Sequence, residues 1–205
     1  MGADIPLDDN RAMFDRLLRM LDEHPELVGD VRFETTPTGI VAMSPADLAH
    51  GAIIRELRRQ LDAGLGGNDT RGLDVNQDAG FVVAGLKKIP DLFVLDYDRH
   101  APESDGYVQG VDGVWLFAEV TSPSTRAADL GLTHTAENPG KPWVYAEAGV
   151  PLYLVVDRKQ ARVLLYAEPG PGGYTPPTIC PVGERLWLPH PFGFAVDTEA
   201  FKPHL

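Results

Sequence analysis

Residues 114–123, VWLFAEVTSP, and residues 141–157, KPWVYAEAGVPLYLVVD, decide the fold of this chain. The first is an apolar run that reads as a buried strand, with Glu119 near its end. The second opens at Lys141 as an amphipathic helix, is stopped by Gly149 and Pro151, and continues as the apolar strand LYLVVD over 152–157. Between them lies a polar stretch, 123–140, which contains Pro139-Gly140 and reads as a long loop. Strand, crossover and strand form one unit, and its helix is expected to return across the sheet in the right-handed sense.

Other elements extend outward from this unit. Met13, Phe14, Leu17, Leu18 and Leu21 recur at helical spacing over residues 10–23. Residues 31–36 and 39–43 flank Pro37-Thr38 and read as a hairpin. Ser44-Pro45-Ala46-Asp47 opens a second helix with Ile53, Ile54, Leu57 and Leu61 on one face, ended by the glycines at 64–67. Residues 73–83 and 89–96 read as strands, and a Gly/Asp-rich connection over 98–113 leads to the strand at 114–121. After 152–157 come a strand at 162–167, a Pro/Gly run at 169–177, and short strands near 184–188 and 192–197. This order predicts one α/β domain, bordering on α+β, over residues 1–205, a mixed sheet flanked by helices with its core at about 31–197.

Composition narrows the classes of function. At 205 residues, 43% hydrophobic and 23% charged, the chain is long enough to bury a full core in one domain. No apolar run is long enough to span a membrane, and the acidic start MGADIPLDDN does not read as a signal peptide, so a cytoplasmic location is expected. The single Cys180 excludes an internal disulfide and a cysteine zinc site. Six scattered histidines without an HExxH pattern argue against histidine-bound zinc. The net charge of −12 opposes tight nonspecific binding of nucleic acid. Arg55, Arg58, Arg59, Arg71, Lys87, Lys88, Arg158 and Lys159 read mostly as solvated surface charge.

Chemistry concentrates in three pieces: Pro90-Asp91, Glu119 and Lys141-x-x-x-Tyr145. If the strands following Asp91 and containing Glu119 are antiparallel neighbours, both carboxylates share one edge of the sheet. Lys141 begins its helix on the side where the Glu119 strand ends, and Tyr145 lies one turn further on the same face. An ionised glutamate inside VWLFAEV needs a partner, because burying it alone is expensive. A lysine in a first helical turn opposes the helix dipole, which points to another reason for its place. Paired carboxylates can hold Mg²⁺ or Mn²⁺, and a nearby lysine can orient water or stabilise charge on a pentavalent phosphorus. Glu34 on the hairpin is an additional candidate acid for the metal. His50 shares the inward helix face and is a candidate supporting residue. Asp129 reads as a loop carboxylate with a structural, capping or solvated role.

These pieces resemble the Uma-type family of restriction-endonuclease-like proteins, a branch of the PD-(D/E)XK nuclease superfamily. The matching segments are Met43-Ser44-Pro45 with His50 downstream, Pro90-Asp91 and the strand after it, Glu119 through Ser124, and Lys141 through Asp157. The resemblance implies a restriction-endonuclease-like sheet, metal binding by Asp91 and Glu119, and the lysine role for Lys141. Thr121 stands where the superfamily usually has its lysine, two residues after the second acid, so the resemblance implies that Lys141 substitutes for it from the helix. Residues 133–140 look inserted.

The expected function is DNA phosphodiester hydrolysis by a Mg²⁺- or Mn²⁺-dependent endonuclease using metal-activated water. Asp91, Glu119 and Glu34 are the expected metal residues, and Lys141, His50 and Tyr145 the catalytic ones. A double-strand cutter would favour a homodimer. Two other readings stay open: a noncatalytic nucleic-acid or protein-binding module, and a hydrolase of a small phosphorylated substrate.

Overall fold

A computed structural model describes residues 32–37, 39–43, 47–67, 72–96, 107–135 and 138–205, together with positions 12, 16 and 99. The helix expected over 10–23 lies outside these residues, apart from positions 12 and 16. So do Ser44 and Pro45. Strands β1 (Arg32–Thr36) and β2 (Gly39–Met43) precede helix α1 (Leu48–Gly67). Then come β3 (Leu73–Asn76), β4 (Phe81–Val83), β5 (Leu86–Lys88), β6 (Leu92–Asp96), β7 (Val108–Gln109) and β8 (Val114–Val120). The short helices α2 (Arg126–Asp129) and α3 (Lys141–Glu147) lead to β9 (Leu152–Asp157) and β10 (Arg162–Ala167). The chain closes with β11 (Pro169–Gly170), β12 (Gly173–Tyr174), β13 (Thr178–Pro181), β14 (Arg185–Leu188), β15 (Phe194–Asp197) and a 3₁₀ turn, Thr198–His204.

The fold is the expected mixed α/β sheet flanked by helices. Six strands lie in the order β13-β10-β9-β8-β6-β3. β8 and β9 pair in parallel, as a crossover unit requires, with Leu116 opposite Leu152. β6 runs antiparallel to β8, with Leu92 opposite Ala118. Extending that register by one residue sets Asp91 across from Glu119, so the conditional expectation about the two carboxylates is met.

Alternation along the strands divides the core into two layers. Leu92, Val94, Leu116, Ala118, Val120, Leu154 and Val156 pack under α1, whose Ile53, Leu57, Leu61 and Leu65 form its buried stripe. Leu186, Leu188, Val196 and Phe201 join this layer from the C-terminal end. On the opposite face Phe93, Phe117, Tyr153 and Val155 meet Val144 and Tyr145 of α3 and Phe81, Val83 and Leu86 of the small sheet. Asp91 and Glu119 have the parity of this second layer.

Two local expectations are corrected. Residues 73–83 do not form one strand: β3 belongs to the central sheet, whereas β4 belongs to a three-stranded sheet ordered β5-β4-β7. Asp78 adopts φ 66 between them, a left-handed conformation that breaks an extended run. The stretch 123–140 is not loop throughout, because residues 126–129 form α2. One helical turn is too short for periodicity to reveal. The tail also holds more strand than expected, including the edge strand β13.

Candidate functional site

Glu119 reaches the α3 layer from β8 and is 3% exposed. Its Oε1 accepts hydrogen bonds from Lys141 Nζ at 2.8 Å and from the Tyr145 hydroxyl at 3.1 Å. Both donors come from α3, one turn apart, as the i,i+4 spacing dictates. Gly140, in an extended conformation, caps the start of that helix, and Pro142 occupies its first turn, where a missing N–H costs little. Close packing fixes this start: a Cβ on Gly140 would lie 2.5 Å from Gly131 Cα.

Lys141 is 2% exposed, so its ammonium must be paired. Besides Glu119 it has Asp129 Oδ1 at 3.1 Å and Glu34 Oε1 at 3.3 Å. Burial alone would lower its pKa, but Asp129, Glu119 and Glu34 hold it well above the usual lysine value. Lys141 is therefore a firmly charged group inside a cage of three acids.

Asp91 lies immediately before β6 and is aimed by two donors. Its Oδ2 accepts from the Val120 backbone N–H at 2.8 Å and lies 3.0 Å from His50 Nε2. His50 arrives from the opposite layer, at the start of α1. The Asp47 carboxylate fixes that start by accepting from the His50 backbone N–H at 2.7 Å. Burial pushes the Asp91 carboxyl up, yet His50 and the Val120 N–H leave it below its ordinary value. The histidine responds in the opposite sense: burial disfavours its cation, and Asp91 outweighs that and raises its pKa.

All six candidate side chains thus belong to one connected region at the edge shared by β6 and β8. Glu34 enters it from β1, with Oε1 also accepting from the Ile89 N–H at 3.1 Å and Oε2 3.4 Å from Lys88 Nζ. Both of its oxygens are engaged by protein donors.

The surroundings of two members were not legible in the sequence. Asp129, expected as a loop carboxylate with a structural, capping or solvated role, is not solvated but fully buried against Lys141. Its helix is four residues long, so nothing in its periodicity marks it as inward. Lys88, expected as solvated charge, is 5% exposed and donates to Thr35 O at 2.9 Å. The alternation Leu86, Lys87, Lys88 gave no sign of it, since β5 is buried on both sides. The glutamate on a neighbouring hairpin was the available clue.

A divalent cation fits this donor set. The hydrogen bonds and ion pairs among the described residues engage only Oδ2 of Asp91 and only Oε1 of Glu119, leaving one oxygen of each acid for a cation. Burial, then the nearby Asp91, Asp129 and Glu34 carboxylates, drive Glu119 well above its ordinary pKa despite Lys141. Added positive charge would relieve that crowding. No group of three or more His, Cys, Asp or Glu side chains among the described residues is placed to hold a metal ion. Two carboxylates suit an ion such as Mg²⁺, which keeps several of its waters.

The family model Uma2, described as "Putative restriction endonuclease", matches residues 16–199. The chain belongs to the Uma2 family. The match takes in every candidate residue, from Glu34 to Tyr145. Among solved structures, a "putative nuclease belonging to DUF820" from Anabaena variabilis is similar to this Uma2 chain with a TM-score of 0.63. The two share 15% sequence identity, and the alignment covers 90% of this chain and 97% of that one. At that identity the likeness concerns the fold, and it agrees with the restriction-endonuclease-like sheet expected from the sequence. No curated protein matches this Uma2 member. No helix among its described residues is long and apolar enough to cross a membrane.

Proposed function

We propose that this Uma2 protein is a Mg²⁺- or Mn²⁺-dependent endonuclease that hydrolyses DNA phosphodiester bonds. The observation that carries the reading is the pairing of two half-engaged carboxylates with a buried lysine at one sheet edge. Asp91 and Glu119 would hold the ion through their unengaged oxygens. When bound, the ion supplies Lewis-acid polarisation of the phosphoryl group and a more acidic water.

The protein's own residues supply orientation and charge. Lys141, fixed by Glu119 at 2.8 Å, directs positive charge toward a phosphate held at that edge and can orient the attacking water. Tyr145 braces Glu119 by donating to the same oxygen. His50 keeps Asp91 aimed by holding its other side. Glu34, matched to Lys88 and Lys141, sets the lysine's position and balances its charge. A cut in both strands would take two copies, so a homodimer on DNA belongs to the proposal. A cytoplasmic location belongs to the same reading and agrees with the single cysteine, which can form no internal disulfide.

The test is cleavage of supercoiled, linear and single-stranded DNA with Mg²⁺ or Mn²⁺, comparing wild type with Glu119→Ala and Lys141→Ala. Cutting by the wild type, lost in both variants, is the expected result. Activity that survives both substitutions sinks the assignment.

A further inference from the structure

We propose that Arg158 binds a non-scissile backbone phosphate of the nucleic acid, beside the Asp91–Glu119 edge. This contact rests on the nuclease reading and extends it to how the substrate is held. Arg158 follows β9 at the end where β8 also finishes, next to Glu119. Its backbone N–H donates to Thr121 Oγ1 at 3.1 Å, and Thr121 N–H donates to Val156 O at 3.0 Å. Its guanidinium Nη1 donates to Asp47 Oδ2 at 3.0 Å. The other oxygen of Asp47 accepts from the His50 N–H, and His50 in turn holds Asp91. A closed ring of contacts therefore ties Arg158 to the residue that would bind metal.

The guanidinium is under-used. An arginine presents five N–H donors in a rigid fork suited to phosphate. Here the side chain is 17% exposed, and among the described residues Asp47 takes one donor while the buried Nε has no hydrogen-bond partner. Nε faces inward, so it is the exposed part of the guanidinium fork, beyond the Asp47 contact, that can meet an anionic acceptor. The surroundings agree, because the adjacent Asp157 is already shared by Arg126 at 2.7 Å and Arg162 at 3.2 Å. Lys159 adds an exposed cation next in sequence. In a chain of net charge −12, Arg126, Arg158, Lys159 and Arg162 gather at this corner against Asp47 and Asp157.

A structural tie between α1 and β9 would also explain the Asp47 pair, and the two roles separate in solution. Binding of a short fluorescein-labelled DNA duplex is measured by anisotropy across a salt series, with Ca²⁺ replacing Mg²⁺ so that the duplex stays whole. The full-length wild type, Arg158→Gln, Arg158→Lys and Asp47→Asn are compared, with circular dichroism confirming that each is folded. A phosphate contact predicts that R158Q weakens binding about tenfold and lowers the slope of log affinity against log salt by about 1. It also predicts that R158K restores the slope and that D47N does not lower it. Equal weakening by R158Q and D47N at unchanged slope overturns the contact and leaves the nuclease reading intact. A wild type that binds no duplex overturns both together.

Discussion

At the scale of single residues, Tyr145 separates packing from polar support. Its ring lies 4.8 Å from Phe117 and 4.9 Å from Tyr153, while its hydroxyl donates to Glu119. Tyr145→Phe keeps the ring and removes one hydrogen bond, so it should cost only about 0.5–1.5 kcal/mol in urea denaturation. Cleavage should fall several-fold, because Glu119 loses a brace. An unchanged rate in that variant would remove Tyr145 from the machinery. Asp157 makes a pH prediction. Burial pushes its carboxyl up, but Arg126 and Arg162 leave it below its ordinary value of 3.8. A carboxyl depressed in the folded state binds fewer protons there than when unfolded. Its stabilisation is complete above about pH 3.8 and is lost as pH falls through the lower folded value. Arg126→Ala should therefore cost about 1–3 kcal/mol near neutral pH, and the gap to wild type should close in strong acid. Equilibrium denaturation across that range checks it.

At the scale of elements, the start of α3 is the sensitive joint. Gly140 lies against Gly131, and the very next residue is Lys141. Gly140→Ala forces the two segments apart and moves the lysine, so a loss of activity approaching about a hundredfold is expected for a displacement near 1 Å. Normal kinetics in that variant would mean that the helix start can shift without consequence. By contrast, Leu57→Ala on α1 acts through packing alone. It removes a side chain 1% exposed and should lower stability by about 2–5 kcal/mol in denaturant. The same elements explain what could be read from sequence. β8, α3 and β9 were legible because each has a strong apolar pattern and a clear stop, such as Gly149 at φ 81. α2 was not, being a single turn. Lys88 read as solvated charge and Asp129 as a loop carboxylate because their burial comes from tertiary packing against Glu34 and Lys141, which local pattern does not carry. Conversely, Glu119 announced itself by being charged inside an apolar strand.

At the scale of the whole molecule, the candidate site concentrates Glu34, Asp91, Glu119 and Asp129 within a chain that is already acidic. A cation bound there stabilises the folded state alone. Saturating Mg²⁺ or Mn²⁺, at about a hundred times the dissociation constant, should add about 2.7 kcal/mol and raise the melting temperature of the wild type. Glu119→Ala should show no such rise in differential scanning fluorimetry. An equal rise in both proteins would place the ion elsewhere. Among the described residues the central sheet ends at β3 and β13, and each margin is blunted differently. β3 is only four residues long. β13 exposes Ile179 but ends in Pro181 and is preceded by Pro176 and Pro177. Proline has no N–H to offer an incoming strand, and short margins leave little to pair with. Fibre-like stacking of copies through the margins of the central sheet is thereby discouraged.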